Sequence, residues 1–120
     1  MKMNDFVKKT RVMELPLGTS EVVFKRIDYR IDDDQNVTGA FIHIEGFKPL
    51  YIPVFEEANY QLDFLLEQLD VVSYDPTEIN KKAGTTIIAQ RYQRNISNRT
   101  YTNVAFDTRT KNQSQAVELA

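Results

Sequence analysis

The sequence predicts an all-β domain of five strands with one helix, inserted between the third and fourth strands. Residues 21–32, 37–47 and 50–55 alternate apolar and polar side chains with the short period of half-buried strands. Residues 56–71 change to a helical period, with Leu62, Leu65, Leu66 and Leu69 forming one apolar stripe. Residues 85–93 and 100–106 then return to extended patterns on either side of a polar turn at 95–98.

A chain of 120 residues gives one domain room for a core and leaves little for a second. The single domain is expected over 1–108, with 1–10 flexible at its start and a mobile polar tail at 109–120. No apolar run is long enough to span a bilayer, and 1–11 is too polar for a secretory signal. The absence of cysteine excludes a disulfide framework and a thiolate metal site, which fits an intracellular, cytoplasmic protein. The glycosylation sequons at Asn36, Asn95 and Asn98 are therefore read as chance matches in a polar, Thr-rich chain.

Net charge is −2, but its distribution is uneven. Residues 56–80 carry seven acids and no lysine or arginine, whereas 91–111 carry five basic residues against Asp107 alone. Residues 2–11 hold four basic residues against Asp5. A binding face needs local potential and not a basic whole, so this asymmetry admits a nucleic-acid partner.

Before the first strand, Val12, Met13, Leu15 and Leu17 suit a short edge strand punctuated by Pro16 and Gly18. In the first strand, Val23, Ile27, Tyr29 and Ile31 fall largely on one face, and Phe24, Arg26, Asp28 and Arg30 on the other. The break in polarity at Lys25 marks either a bulge or a strand end reaching water. Residues 32–36 (DDDQN) form a turn by composition. The triple aspartate lacks the glycine and distal glutamate of a calcium loop, so no metal is expected there, and no cofactor elsewhere.

In the second strand Ile42 and Ile44 face one way and Phe41, His43, Glu45 and Phe47 the other, and the aromatic face reads either as a second small core or subunit contact or as a stacking platform. In the third, Leu50, Ile52 and Val54 face inward and Tyr51 outward, with Pro53 pointing to an edge or a strand end. Tyr60 and Phe64 widen the helical stripe, and Glu56 and Glu57 lie near the helix start, where negative charge suits the dipole. Residues 72–83 form a loop broken at Asp75-Pro76, with a helical turn expected at 76–80. Lys81 and Lys82 follow just before Gly84.

This order of elements is that of the OB-fold, a five-stranded Greek-key barrel capped by an α-helix between strands 3 and 4. In such barrels the loops joining strands 1 and 2 and strands 4 and 5 border the oligonucleotide groove. Here they are 32–36, which is acidic, and 94–99, which is basic. The expected function is sequence-tolerant binding of single-stranded DNA. Arg26, Arg30, Arg91, Arg94 and Arg99 are the expected phosphate contacts, with Lys81 and Lys82 at the rim. Phe41, Phe47, Tyr51, Tyr92 and Tyr101 are the expected stacking surfaces, because any base has a face that an aromatic ring can meet. A one-residue change of register would instead turn Tyr92, Tyr101 or both into the barrel; Tyr101 lies opposite the face of Thr102, Val104 and Phe106, which favours an outward direction.

The hairpin at 85–93 and 101–106, with the strand and helix order over 21–107, resembles the small single-stranded-DNA-binding proteins of bacteriophages and bacterial mobile elements, especially of low-GC Gram-positive hosts. That resemblance implies an OB-fold, non-specific DNA binding during replication or recombination, and self-association as a dimer or tetramer. Cellular members of the broader group end in an acidic tip that recruits replication and recombination proteins. Residues 116–120 have no such tip, which removes that route of recruitment from the expectation.

An enzyme is not expected. His43 is the only histidine, it has no acid partner apparent in sequence, and the carboxylates of 56–78 accompany no glycine-rich loop or metal-ligand spacing. The rival reading is an OB-type protein–protein adaptor, with Phe41, Phe47 and Tyr51 in a buried interface, since one fold hosts many functions. RNA is a third possibility, and nothing identifies a reader of the 2′-hydroxyl.

Overall fold

The computed structural model describes residues 1–8 and 11–108; the tail expected to be mobile lies outside the described residues. Five strands, β1 (Gly18–Ile31), β2 (Val37–Ile44), β3 (Leu50–Pro53), β4 (Thr86–Ile96) and β5 (Arg99–Ala105), form one antiparallel sheet in the order β3-β2-β1-β4-β5. The helices are α1 (Met3–Val7), α2 (Tyr60–Leu69) and α3 (Pro76–Ile79), the last continuing into a 3-10 turn at Asn80–Lys82. The expected strand count and the position of the main helix between β3 and β4 are both present. The sheet is open: β3 and β5 approach to within 8 Å between Cα atoms, and no hydrogen-bonded ladder joins them among the described residues.

The spine is β1, which serves two partners in turn. Gly18–Val23 pair with β4, and Phe24–Ile31 pair with β2. The change coincides with a bulge, where the register to β2 jumps from Phe24↔Ile44 to Arg26↔His43 and leaves Lys25 as the extra residue. The bulge resets the alternation, so Val22 and Phe24 before it and Ile27 after it are all buried. This corrects the expected face assignment, which grouped Val23 with Ile27; a strictly period-two reading cannot survive an inserted residue.

Beyond Val23 the pairing with β4 ends, and the edge of β1 is closed by other groups. Phe24 N–H donates to Thr85 O at 2.9 Å, and Gly84 N–H donates to Phe24 O at 2.8 Å. Asn80 Oδ1 then accepts the Ile27 N–H at 2.8 Å, so a side chain stands in for the missing strand. A buried backbone donor left without such a partner costs about 1–3 kcal/mol. Asp75 caps α3 by accepting the Thr77 N–H, which fixes the turn that presents Asn80.

Helix α2 buries Leu62, Leu65, Leu66 and Leu69 against Phe24, Ile27, Ile42, Ile52, Ile87 and Phe106. It is shorter than the periodicity of 56–71 suggests. Residues 56–59 precede it as a loop in which Asn59 Oδ1 accepts the Phe55 N–H at 2.7 Å, and Asp70 ends it in the left-handed region at φ 57°. Glu56 and Glu57 therefore lie outside the first turn, where Asp63 is the acid, and Tyr60 is exposed instead of joining the apolar stripe. Two glutamines tie the helix to the sheet. Gln68 Nε2 donates to the carbonyls of Ile88 and Phe106, its Oε1 accepts the Ile88 N–H, and Gln61 Oε1 accepts the Phe106 N–H.

At the N-terminus α1 buries nothing. The edge strand expected over 11–17 reduces to a single parallel bridge between Met13 and Phe47, with Leu15 buried in the core beside it.

Candidate nucleic-acid interface

The outer face of β1, β2 and β3 can be read from the register, because directly opposed residues of antiparallel strands point to the same side. Phe41 stands opposite Tyr51 on β3 and Asp28 on β1; Gly39 stands opposite Pro53 and Arg30; His43 stands opposite Arg26. Phe41 and Tyr51 are the exposed aromatic pair of this face, with ring centroids 5.0 Å apart and planes inclined by 51°. That tilted contact holds both rings in place while leaving part of each to solvent.

Gly39 makes the arrangement possible. A Cβ at this position would lie 2.2 Å from the Tyr51 hydroxyl oxygen, so the tyrosine lies across space that only glycine leaves open. An isolated glycine inside a strand signals such a close approach, and this is the signal by which Gly39 could have been singled out. Asp28 is the other member the sequence reading passed over. Its Oδ2 accepts from Arg26 Nε at 3.1 Å, and His43 Nε2 lies 2.8 Å from the same oxygen. Asp28 falls on the same strand face as Arg26 and Arg30, but its contact with His43 depends on the register shift at the bulge.

The second half of the candidate interface is the β4–β5 hairpin. Pairing of β4 with β1 ends at Gly18↔Arg91, so beyond Arg91 the hairpin is a two-stranded arm. Ser97 and Asn98, at φ 51° and 66°, form its two-residue turn, and both positive values match the type I′ geometry that suits the right-handed strand twist. The expected loop at 94–99 is thus mostly strand. Along one side of the arm run Tyr92 and Asn103, Arg94 and Tyr101, then Ile96 and Arg99, each pair directly opposed. The other side carries Gln93, Asn95, Thr100 and Thr102, where Thr100 Oγ1 donates to Asn95 Oδ1 at 2.9 Å. Cation and aromatic ring are therefore confined to one face. Tyr101 is exposed, as expected, and Tyr92 is half-buried.

The basic residues separate into engaged and available groups. Arg91 Nη1 donates to Leu15 O at 2.6 Å and its Nη2 lies 3.2 Å from Glu14 Oε2, so this guanidinium pins the N-terminal segment to the sheet. Arg26 is paired with Asp28, and Lys81 Nζ lies 2.9 Å from Glu78 Oε1. Among the described residues Arg30, Arg94 and Arg99 have no ion pair. Lys81 and Lys82 line a groove with Asp70, Glu78 and residues 71–73, and no aromatic residue lines it among the described residues. The structure therefore does not bring these lysines together with the stacking residues. Phe47 also leaves the aromatic row: β2 ends at Ile44, Gly46 turns the chain at φ 81°, and Phe47 packs against the core.

The loop joining β1 to β2 is held by its own carboxylate. Asp32 Oδ1 accepts the N–H groups of Asp34 and Asn36, both at 2.9 Å, with Gln35 in the left-handed region. Elsewhere on the frame, Tyr29 donates its hydroxyl to Tyr74 O, and the Tyr74 hydroxyl donates to Asp63. Burial, reinforced by Tyr74 and Asp75, pushes the Tyr29 hydroxyl up to about 12, and its bond to Asp63 raises that of Tyr74.

No family model matches the sequence, and no curated protein is significantly similar to it. No helix among the described residues is long and apolar enough to cross a membrane.

Proposed function

We propose that this protein binds single-stranded DNA without sequence preference, on the outer face of β2 and β3 and along one side of the β4–β5 arm. In this reading the sheet is an OB-type Greek-key barrel with an open seam. The observation that carries the proposal is the exposed Phe41–Tyr51 pair beside Arg30 on one sheet face, together with Arg94 and Arg99, which have no ion pair among the described residues, and the exposed Tyr101 on the arm. Rings on an extended backbone stack on bases of any identity, and exposed arginines displace counterions from phosphates. The resemblance to phage and mobile-element proteins points the same way, toward DNA replication or recombination with self-association of the chain.

Arg30, Arg94 and Arg99 are the principal phosphate contacts, and Arg26 acts only where a phosphate competes with Asp28. Arg91 contributes by holding the frame. Asp28 favours a second reading, a protein adaptor, because it places a carboxylate within the aromatic face and lowers the local positive potential. Anisotropy of a fluorescent oligo-dT strand and of the matching duplex, titrated at low salt, separates the two readings. Tight binding to the single strand and weak binding to the duplex is the expected result. No binding to either sinks the nucleic-acid reading. Sedimentation of the free protein tests self-association, with a monomer at all concentrations as the contrary outcome.

A further inference from the structure

The open edges of β3 and β5 leave a groove of about 550 Å³ between them, floored by the start of α2. This lies within the range of about 300–1,000 Å³ of pockets that take small organic groups. Four aromatic residues from four elements line it: Tyr51 on β3, Phe55 in the following loop, Tyr60 at the first position of α2, and Tyr92 on β4. Arg94 is its one charged lining residue among the described residues, and Asn103 contributes a side-chain amide. Phe55 and Tyr60 are 60% and 71% exposed, so neither is a core residue that merely reaches the groove. We propose that this seam is a second base-binding subsite, in which a nucleobase of the bound single strand enters between β3 and β5 and stacks among Tyr51, Phe55, Tyr60 and Tyr92 while Arg94 meets its phosphate.

The proposal rests on the nucleic-acid reading and extends it to residues that reading does not use. Continuity supports this occupant. Tyr51 belongs both to the aromatic pair of the outer face and to the seam, so a strand lying on Phe41 and Tyr51 reaches the groove without crossing a polar gap. Charge supports it as well: among the described residues no acidic side chain lines the groove, and its one charge there is the sign a phosphate requires. Aromatic rings with a single arginine match a nucleotide better than they match an acidic peptide, which would find one cation and no further complement.

Phe55→Ala, Tyr60→Ala and Phe41→Ala are each titrated with fluorescent oligo-dT beside the parent, after circular dichroism and thermal melting confirm the fold. An oligonucleotide carrying 5-iodouracil is photocrosslinked to the parent in parallel, and the modified peptides are mapped. The seam proposal expects each seam variant to lose at least about fivefold in affinity, the low end of one lost stacking contact. It also expects crosslinks at Phe55, Tyr60 or Tyr92. Parent-like affinity in both seam variants, with a loss only in Phe41→Ala and crosslinks confined to the sheet face, overturns the subsite and leaves the nucleic-acid reading standing. A parent protein that binds no oligo-dT overturns both.

Discussion

Arg91 and Arg94 stand on the same strand and do different work. Arg91 lies where β4 still pairs with β1, and its guanidinium is turned onto the Leu15 carbonyl and Glu14. Arg94 lies beyond the end of that pairing, opposite Tyr101, with no ion pair among the described residues. The same contrast runs through the whole hairpin. Its inner half contributes Ile87, Ala89, Ala105 and Phe106 to the interior and is clamped by Gln68, whereas residues 93–102 are all exposed. Residue type alone does not assign a role here; distance along the ladder from the end of the β1 pairing does. An isolated two-stranded ribbon is marginally stable in water, so the exposed arm is the less secure half of the hairpin.

The largest expected effect lies at the inner end. Phe106→Ala removes a fully buried ring and should cost about 3–5 kcal/mol in urea unfolding, while a comparable loss in Tyr101→Ala would erase the distinction between the halves. Arg91→Ala should cost about 1.5–3 kcal/mol, because a charged donor to a backbone carbonyl is lost in a partly buried site; its exposed pairing with Glu14 adds little. Tyr101→Ala should leave stability within about 1 kcal/mol of the parent and weaken oligo-dT binding by about 1–3 kcal/mol in an anisotropy titration.

A smaller effect belongs to pH. The Tyr29 hydroxyl is raised from 10.0 to about 12 in the folded protein, so the folded state holds this proton more tightly than the unfolded chain. Its contribution is complete below 10.0 and is lost as pH rises from there through about 12. Thermal midpoints across that window should fall more steeply in the parent than in Tyr29→Phe, and equal slopes would detach Tyr29 from the stability of the frame. The smallest expected effect is Asn98→Gly. Glycine relieves the left-handed backbone of the turn, and a gain of a few tenths of a kcal/mol to about 1 kcal/mol is expected in thermal unfolding.

The regular part of this architecture was legible because periodicity reports local burial. Leu62, Leu65, Leu66 and Leu69 announced the helix, and the alternation around Ile42 and Ile52 announced two strands with an aromatic outer face. The polarity break at Lys25 marked the bulge, but not the reversal of faces that follows from it. What stayed hidden depends on contacts between residues far apart in sequence. Nothing local in Arg91 signals that Leu15 is its partner, and nothing in Asn80 or Gln68 signals that each completes a distant strand edge. The extension of β4 to Ile96 was missed because its turn lacks glycine; Asn98 tolerates the left-handed region, but Ser97 gives no such warning. Of the candidate site, Phe41, Tyr51 and Tyr101 could be placed on faces from the alternation alone, whereas Arg94 fell in the expected 94–99 loop. The gap between β3 and β5 could not, because strand closure is a property of the whole sheet.

The most direct test of the central claim is the salt dependence of oligo-dT binding, measured by anisotropy for the parent, Arg94→Ala and Arg91→Ala. For single strands each neutralised phosphate contributes about 0.7 to the slope of log K against log salt concentration. The account predicts a steep slope in the parent, a reduction of about 0.7 in Arg94→Ala, and an unchanged slope in Arg91→Ala. A flat slope in the parent, or a reduction that follows Arg91 and spares Arg94, would contradict it.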